Sequence, residues 1–171
     1  MIDLETMALT QNAAIVSIGA VMFTGRSICE EFYCNIDLQS SLQAGLELDG
    51  DTVMWWMRQK KAARKVLVDK PVSLYNALSM FADWFDDADT LVWGNGPDFD
   101  NAILANAFTK LSIDLPWDFR QNRCFRTAKN IFPEIELNRE GTHHNALDDA
   151  KNQALHLIKI NKHINELNKS A

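Results

Sequence analysis

Residues 14–23, Ala-Ile-Val-Ser-Ile-Gly-Ala-Val-Met-Phe, form a nearly continuous run of apolar and β-branched side chains. Such a run is typical of a central strand that is covered on both faces. Turn residues follow at Thr24-Gly25-Arg26-Ser27, and residues 28–36 have the pattern of the return strand of a hairpin. Residues 1–5, Met-Ile-Asp-Leu-Glu, are expected to form the end of a third strand. This part of the chain therefore predicts three strands in succession.

The rest of the chain alternates between helix and strand patterns. We expect, in chain order, a helix from Asp51 or Thr52 through Lys65, a helix from the capping residue Ser73 to near Ala88, a strand over 90–93, a helix from Pro97 to about Leu111, a helix over 122–132, a polar loop over 134–143, and a last helix from Asn145 to about Asn168. No internal repeat or linker interrupts this order. The pattern predicts one α/β domain over residues 1–171, built on a mixed β-sheet.

The composition excludes several classes of protein. With 47% hydrophobic and 23% charged residues, the chain has the make-up of an ordinary globular protein and not of a disordered one. Seventeen basic against twenty-three acidic residues give a net charge of −6, which argues against a protein that coats nucleic acid by bulk electrostatics. Local binding of nucleic acid through metal ions remains open. No apolar run approaches the roughly 20 residues of a membrane span, so we expect no membrane partner.

The cysteines indicate the compartment. The chain has three of them and no Cys-x-x-Cys pair, so the spacing carries no zinc or redox signature. We expect Cys29, Cys34 and Cys124 to be buried or half-buried free thiols in a reducing environment. The expected location is the cytoplasm.

Two carboxylates share one face of the first strand. Asp3 and Glu5 are two residues apart, so their side chains project from the same side of the strand. Two carboxylates held this close repel each other unless a proton or a cation lies between them. Because hard divalent cations such as Mg²⁺ prefer oxygen ligands, the pair is a candidate metal site.

Two further acidic residues follow a strand and a glycine-rich turn. Asp98 and Asp100 come after Val92-Trp93-Gly94-Asn95-Gly96-Pro97, near the start of an expected helix. Ligands of α/β proteins gather where strand ends meet helix N-termini, so either carboxylate is placed to reach a site. A favourable interaction of both with the helix dipole is the alternative interpretation.

A histidine and an aspartate lie at the start of the last helix. His144 is in the approach to this helix and Asp149 is one and a half turns into it, with His143 as a neighbouring alternative. An imidazole with an ordinary pKa near 6.5 can accept a proton from water at neutral pH. Small residues recur along one face of the helix, at Ala146, Ala150 and Ala154. They should let the helix lie close against the sheet and bring Asp149 within reach of Asp3.

In this chain order, these residues resemble the DEDD superfamily of 3′–5′ exonucleases, in its histidine-bearing DEDDh (DnaQ-like) branch. The match rests on Asp-Leu-Glu-Thr on the first strand, Phe99-Asp100 after a central strand and His-x-x-x-x-Asp at the last helix, and it covers essentially the whole chain. It implies a ribonuclease-H-like fold, with a mixed β-sheet flanked by helices. Within the branch, the chain is most similar to small bacterial and phage exonucleases that carry a tryptophan pair in the middle helix, here Trp55-Trp56.

The resemblance also implies roles for individual residues. Four carboxylates would hold two Mg²⁺ or Mn²⁺ ions: Asp3, Glu5, Asp100 and Asp149. His144 would deprotonate the attacking water. The five-residue offset to the last aspartate favours His144 over His143, and the family's Phe-Asp pair favours Asp100 over Asp98.

The implied substrate is the 3′ end of single-stranded RNA or DNA, from which nucleoside 5′-monophosphates are released. Trp55 and Trp56 would lie near it, but neighbouring helical residues point about 100° apart, so at least one must face the core. Thr6 and Met7 are expected near the terminal nucleotide. The basic residues within 58–65 would either hold the phosphate backbone or form a solvated helix face. Relatives are often dimers, so a homodimer is an option for the oligomeric state.

Two other functions compete with the exonuclease. One is a haloacid-dehalogenase-type phosphatase with Asp3 as nucleophile and Asp148-Asp149 as the metal pair. That class normally has Asp where this chain has Glu5, and it leaves His144 without a role. The other is a non-catalytic nucleic-acid-binding module on the same fold, which gives no physical need for closely packed acidic groups.

Overall fold

We describe a computed structural model of the chain, which covers residues 1–85, 89–96 and 98–170. The strands in chain order are β1 (Ile2–Thr6), β2 (Ile15–Phe23), β3 (Ile28–Asn35), β4 (Val92–Gly94) and β5 (Asn122–Cys124). The α-helices are α1 (Leu38–Gln43), α2 (Gly50–Arg58), α3 (Lys61–Arg64), α4 (Leu74–Trp84), α5 (Asp100–Lys110), α6 (Phe125–Ile131) and α7 (Ala146–Ser170). Short 3₁₀ turns cover Lys65–Leu67 and Phe119–Gln121.

The strands form the mixed α/β arrangement of a ribonuclease-H-like fold. β1, β2 and β3 make an antiparallel sheet with β2 in the middle, and Ile15–Val21 of β2 are buried, as the apolar run predicts. β4 and β5 pair in parallel, and β4 lies beside β1. Asp3 faces Gly19 across the antiparallel pair and Glu5 faces Ser17. Residues directly opposite each other in a sheet share a face, so these four lie on one side of it.

Helix α7 covers that side of the sheet. Asn145 caps it, because its side-chain oxygen accepts a hydrogen bond from the Asp148 amide at 3.1 Å. Small residues line the buried face, and none of them has any exposed surface: Ala146, Ala150 and Ala154. A Cβ atom at Gly19 would collide with the backbone of Ala146. The close packing expected from the small residues is therefore confirmed, and the sheet contributes its own glycine to it.

Aromatic side chains fill the core on the other side. Phe81 of α4 contacts Phe85, Phe108 and Trp117, with ring centroids 6.1 to 6.3 Å apart. Leu74, Ala77 and Leu78 of the same helix are buried with Phe81. This packing holds α4 and α5 against the sheet.

The structure corrects two expectations about the elements and adds one helix that the sequence patterns do not indicate. Residues 122–124 are not the start of a helix but form β5, because their backbone pairs with β4. Residues 51–65 do not form one helix: α2 ends at Arg58 because Gln59 has an extended ψ of 159°, and α3 follows as a separate turn. Helix α1 was not anticipated. Ala88 and Pro97, where helix boundaries are expected, lie outside the described residues.

One cysteine differs from expectation. Cys34 is buried and Cys124 is half-buried, but Cys29 is exposed. It lies near the start of β3, an edge strand of the antiparallel sheet, where the register with β2 shifts. Among the described residues, no helix has both the length and the apolar character needed to span a bilayer.

Candidate active site

The carboxylates of β1 lie under helix α7. The side-chain amide of Gln153 donates a hydrogen bond to Asp3 Oδ1 at 2.7 Å, which ties the strand to the second turn of the helix. Glu5 is buried and directed toward the same helix, where its ligand oxygen lies within 4.8 Å of one on Asp149. The period-two spacing thus places both acidic side chains on the face that α7 covers.

Asp100 joins this pair from the start of α5. Its Oδ1 accepts a hydrogen bond from the Leu4 amide at 3.1 Å, and its Oδ2 accepts one from the Asn95 amide at 3.0 Å. These two bonds fasten the helix to β1 and to the turn after β4. Asp98, the alternative from the sequence, is exposed to solvent.

Burial raises the pKa values of all three carboxyl groups. The pKa of Glu5 rises to about 7, mainly through burial and then through repulsion from Asp100. The pKa of Asp100 rises to about 6 by burial, although its backbone hydrogen bonds act in the opposite direction. The pKa of Asp3 rises well above its usual range through burial and the charges of its two neighbours. Without a cation, the cluster therefore tends to keep protons that a divalent ion would displace.

His144 and Asp149 complete the cluster. One ligand atom each from Glu5, His144 and Asp149 lie within 4.8 Å of one another. His144 has a φ of +62°, the left-handed conformation, which turns the chain from the polar loop into α7. The distance of at most 4.8 Å between the His144 nitrogen and the carboxylate oxygens fits two roles for the histidine. It can act as a base beside a metal ion, or it can itself ligate the ion.

The surroundings of His144 favour its neutral form. Burial lowers the pKa of His144, and the nearby charges of His143 and Arg139 lower it further. Its ring packs edge-on against Trp55, with centroids 4.7 Å apart. His143, the alternative from the sequence, is exposed and contacts the ring of His144 at 4.0 Å between centroids. A neutral imidazole is the form that can accept a proton.

The two tryptophans have different environments. Trp56 is only 1% exposed, and its indole N–H donates a hydrogen bond to the carbonyl oxygen of Thr6 at 2.9 Å. Trp55 is 38% exposed and contacts the rim of the site. Met7 is buried, and the Thr6 hydroxyl donates to the carbonyl of Ala8 at 2.7 Å. Of the four residues expected near the substrate, Trp55 offers the largest accessible side-chain surface.

An open cavity adjoins the carboxylates on the Trp55 side. Its volume is about 470 Å³. The walls come from the end of β1, the start of α2 and the turn before α5, and comprise Leu4, Glu5, Thr6, Leu9, Asp49, Asp51, Thr52, Trp55 and Phe99. Pockets of several hundred Å³ with mostly apolar walls are of the size that binds small ligands and nucleotides. Glu5 belongs to both the cavity and the metal-ligand cluster, so the two are continuous.

Two site residues, Arg139 and Gln153, lie outside the motifs that the sequence analysis identifies. Arg139, in the loop before α7, forms an ion pair with Asp149. Gln153 binds Asp3 as described above, and its position four residues after Asp149 on one helix face is a pattern that could have revealed it. Nothing in the spacing of the polar loop singles out Arg139. The basic residues of 58–65 are mostly exposed, and Lys65 pairs with Asp69 at 3.2 Å.

On this mixed α/β fold, Asp3, Glu5 and Asp100 are gathered with Asp149 and His144 at one place. In a comparison with protein families, the model of the Rv2179c-like 3′-5′ exoribonuclease domain matches residues 1–161. The chain belongs to this family and is a 3′–5′ exonuclease. No curated protein matches it significantly. A phosphatase of the haloacid-dehalogenase type is not supported.

Proposed function

We propose that the protein removes nucleoside 5′-monophosphates one at a time from single-stranded 3′ ends, with RNA as its main substrate and two Mg²⁺ or Mn²⁺ ions as cofactors. The observation that carries this proposal is the convergence of Asp3, Glu5, Asp100, His144 and Asp149 beside one cavity. The family description supports RNA over DNA. Residues 1–171 act as one domain in this proposal.

The carboxylates suit divalent cations. Asp3, Glu5, Asp100 and Asp149 would hold the two ions, which when bound stabilise charge on the attacking and leaving oxygens of an in-line displacement. Three observations support the fit. The donors are oxygens, which Mg²⁺ prefers. The carboxyl pKa values of Glu5 and Asp100 are raised, mainly by burial, so a bound cation would favour their charged forms. Among the described residues, the buried Ser17 Oγ and Gln153 Oε1 have no hydrogen-bond partner.

His144 is the proposed general base. Its lowered pKa keeps the imidazole neutral at pH 7, so it can take a proton from the attacking water. The left-handed turn at this residue and the edge contact with Trp55 hold the ring beside Glu5. Because the ring is already oriented, less free energy is needed to position it for proton transfer.

The cavity is proposed to hold the terminal nucleotide. Its apolar surfaces include Trp55, Leu9 and Phe99, and an aromatic surface that stacks on a base contributes roughly 1–3 kcal/mol. Because Glu5 lies at the inner edge, a base in the cavity would place its 5′ phosphate near the carboxylates.

Labelled oligonucleotides test the proposal. Single-stranded RNA and DNA, labelled at either end, are incubated with Mg²⁺, Mn²⁺ or EDTA. We expect a 3′ label to appear first as a mononucleotide, a 5′ label to remain on a shortening ladder, and EDTA to stop both. Glu5→Gln should be inactive and the exposed Asp98→Asn should be as active as the wild type. Release of the 5′ label first, or full activity in EDTA, would contradict the proposal.

A further inference from the structure

Arg139 contacts the acidic cluster without belonging to any motif. It forms an ion pair with Oδ1 of Asp149. The Arg139 side chain is 46% exposed, whereas that of Asp149 is 11% exposed. The positive charge of Arg139 also acts on Asp3 and Glu5, where it lowers the carboxyl pKa values. A single guanidinium thus interacts with three of the four proposed metal ligands.

The backbone around Arg139 is fastened to α7. The Glu140 amide donates to Asn152 Oδ1 at 2.9 Å, and the Asn152 side-chain amide donates to the Glu140 carbonyl at 2.8 Å. The Thr142 amide donates to Asp148 Oδ2 at 2.7 Å, and a ring nitrogen of His156 lies 2.6 Å from the Ile135 carbonyl oxygen. These contacts fix the backbone on both sides of Arg139, and its side chain is about half exposed.

A cation bound at Asp149 would weaken this ion pair. A divalent ion on Asp149 compensates the same negative charge that Arg139 compensates in its absence, so the two compete. A displaced guanidinium would then face a phosphodiester bound beside the carboxylates. Arginine is well suited to this second partner, because its planar fork of N–H donors can bind two phosphate oxygens at once.

We propose that Arg139 changes partners when the cations and RNA bind. It pairs with Asp149 in the metal-free enzyme and binds the non-bridging oxygens of the RNA phosphate when the cations are in place. Arg139 is then a substrate-binding residue that also keeps the empty site assembled. The proposal rests on the exonuclease function described above and adds Arg139 as the residue that binds the phosphate.

Two measurements on Arg139→Gln test the two parts of the proposal, the pairing with Asp149 and the binding of the RNA phosphate. Manganese titration by calorimetry, without RNA, should show binding about threefold to tenfold tighter than in the wild type, because a competing partner worth about 1 kcal/mol is gone. Steady-state cleavage of single-stranded RNA should show KM raised roughly tenfold or more with a smaller fall in kcat, as expected for the loss of charged hydrogen bonds. Arg139→Lys should be intermediate in both.

Arg120→Gln is the matched control, because this arginine is exposed and pairs with Asp118, which is not one of the proposed metal ligands. It should match the wild type in both measurements. Unchanged manganese affinity in Arg139→Gln, or an unchanged KM for RNA, would each overturn the proposal. If Arg139→Gln does not fold, Arg139→Lys carries the same two readouts. A wild-type enzyme that binds manganese but degrades no RNA would instead defeat the proposed function, and the manganese titration alone would then decide the pairing with Asp149.

Discussion

Gly19 of β2 and Ala146 of α7 lie so close together that a methyl group on Gly19 would collide with the Ala146 backbone. Gly19 is also the residue directly opposite Asp3 in the sheet. The first turn of α7, which carries Asp149, therefore rests on the strand next to the β1 carboxylates. Assembly of the site depends on this contact between a glycine and a helix N-terminus.

Gly19→Ala should displace α7 and weaken both the fold and the site. Overpacking of this kind costs about 1–3 kcal/mol, and a collision with backbone is at the upper end because backbone cannot rotate away. Urea unfolding and manganese titration measure the two effects. Gly25→Ala is the control, since a Cβ there meets nothing within 4 Å, and it should change stability by less than about 0.5 kcal/mol. Equal stabilities of the two variants would contradict the role of Gly19.

His144→Asn should lower kcat by roughly 10²–10⁴-fold, the usual contribution of a general base, without loss of fold. Asparagine is chosen because it tolerates the left-handed backbone conformation of this position, where φ is +62°. The pH profile of kcat should also lose its acid limb, which reports the protonation of the base. His143→Asn alters the exposed neighbour and should retain most activity. The reverse result would assign the base to His143.

Trp55→Leu and Trp56→Leu should separate binding from stability. Trp55 is half-exposed at the cavity, so its loss should raise KM for RNA by about 10-fold. The free energy of unfolding should change little. Trp56 is buried and hydrogen-bonded to Thr6, so its loss should cost about 3 kcal/mol or more of stability. Denaturation curves and steady-state kinetics on both variants check this. A destabilised Trp55→Leu with normal KM would show that Trp55 only packs against His144.

The stability of the metal-free enzyme should fall as the pH rises. The pKa of Glu5 is about 7 in the folded protein against an ordinary 4.5, so the folded state holds this proton more tightly than the unfolded state. The resulting stabilisation is complete below about pH 4.5 and is lost through pH 7, and it amounts to roughly 3 kcal/mol at most. Asp100, with a pKa of about 6, acts in the same direction.

Glu5→Gln tests this linkage. The amide has nearly the same shape and no charge, so in EDTA the variant should be more stable than the wild type at pH 8 and equally stable near pH 4.5. Thermal unfolding across this pH range is the measurement. Added Mg²⁺ should raise the melting temperature of the wild type more than that of the variant, because a ligand that binds only the folded state stabilises it. Parallel pH curves for the two proteins would show that Glu5 does not carry the proton.

Much of the site follows from local pattern. The spacing of Asp3 and Glu5 places both on one strand face at any register, because the side-chain period of a strand is two. The small residues of α7 predict close packing since only a smooth helix face lets a backbone approach a sheet. These inferences need no knowledge of distant residues.

Other features depend on contacts between distant segments. Residues 122–124 have no strand pattern of their own and become β5 because β4 offers them a partner. Local spacing shows that Trp55 and Trp56 point in different directions, but the packing of α2 against Thr6 decides which one is buried. The position of Arg139 depends on Asn152 holding the neighbouring backbone, a contact across a loop that no periodicity encodes.

The sequence by itself determined the class of fold, the candidate carboxylates and histidines, and the chemistry these residue types can perform, because each is a property of local spacing and side-chain type. The family resemblance then favoured Asp100 over Asp98 and His144 over His143. Only the tertiary structure decided which atoms meet. It brought Asp100 to β1, seated α7 on Gly19, left Trp55 open to the cavity and set Arg139 on Asp149. Burial also raised the carboxyl pKa values, since the cost of removing a charge from water depends on everything packed around it.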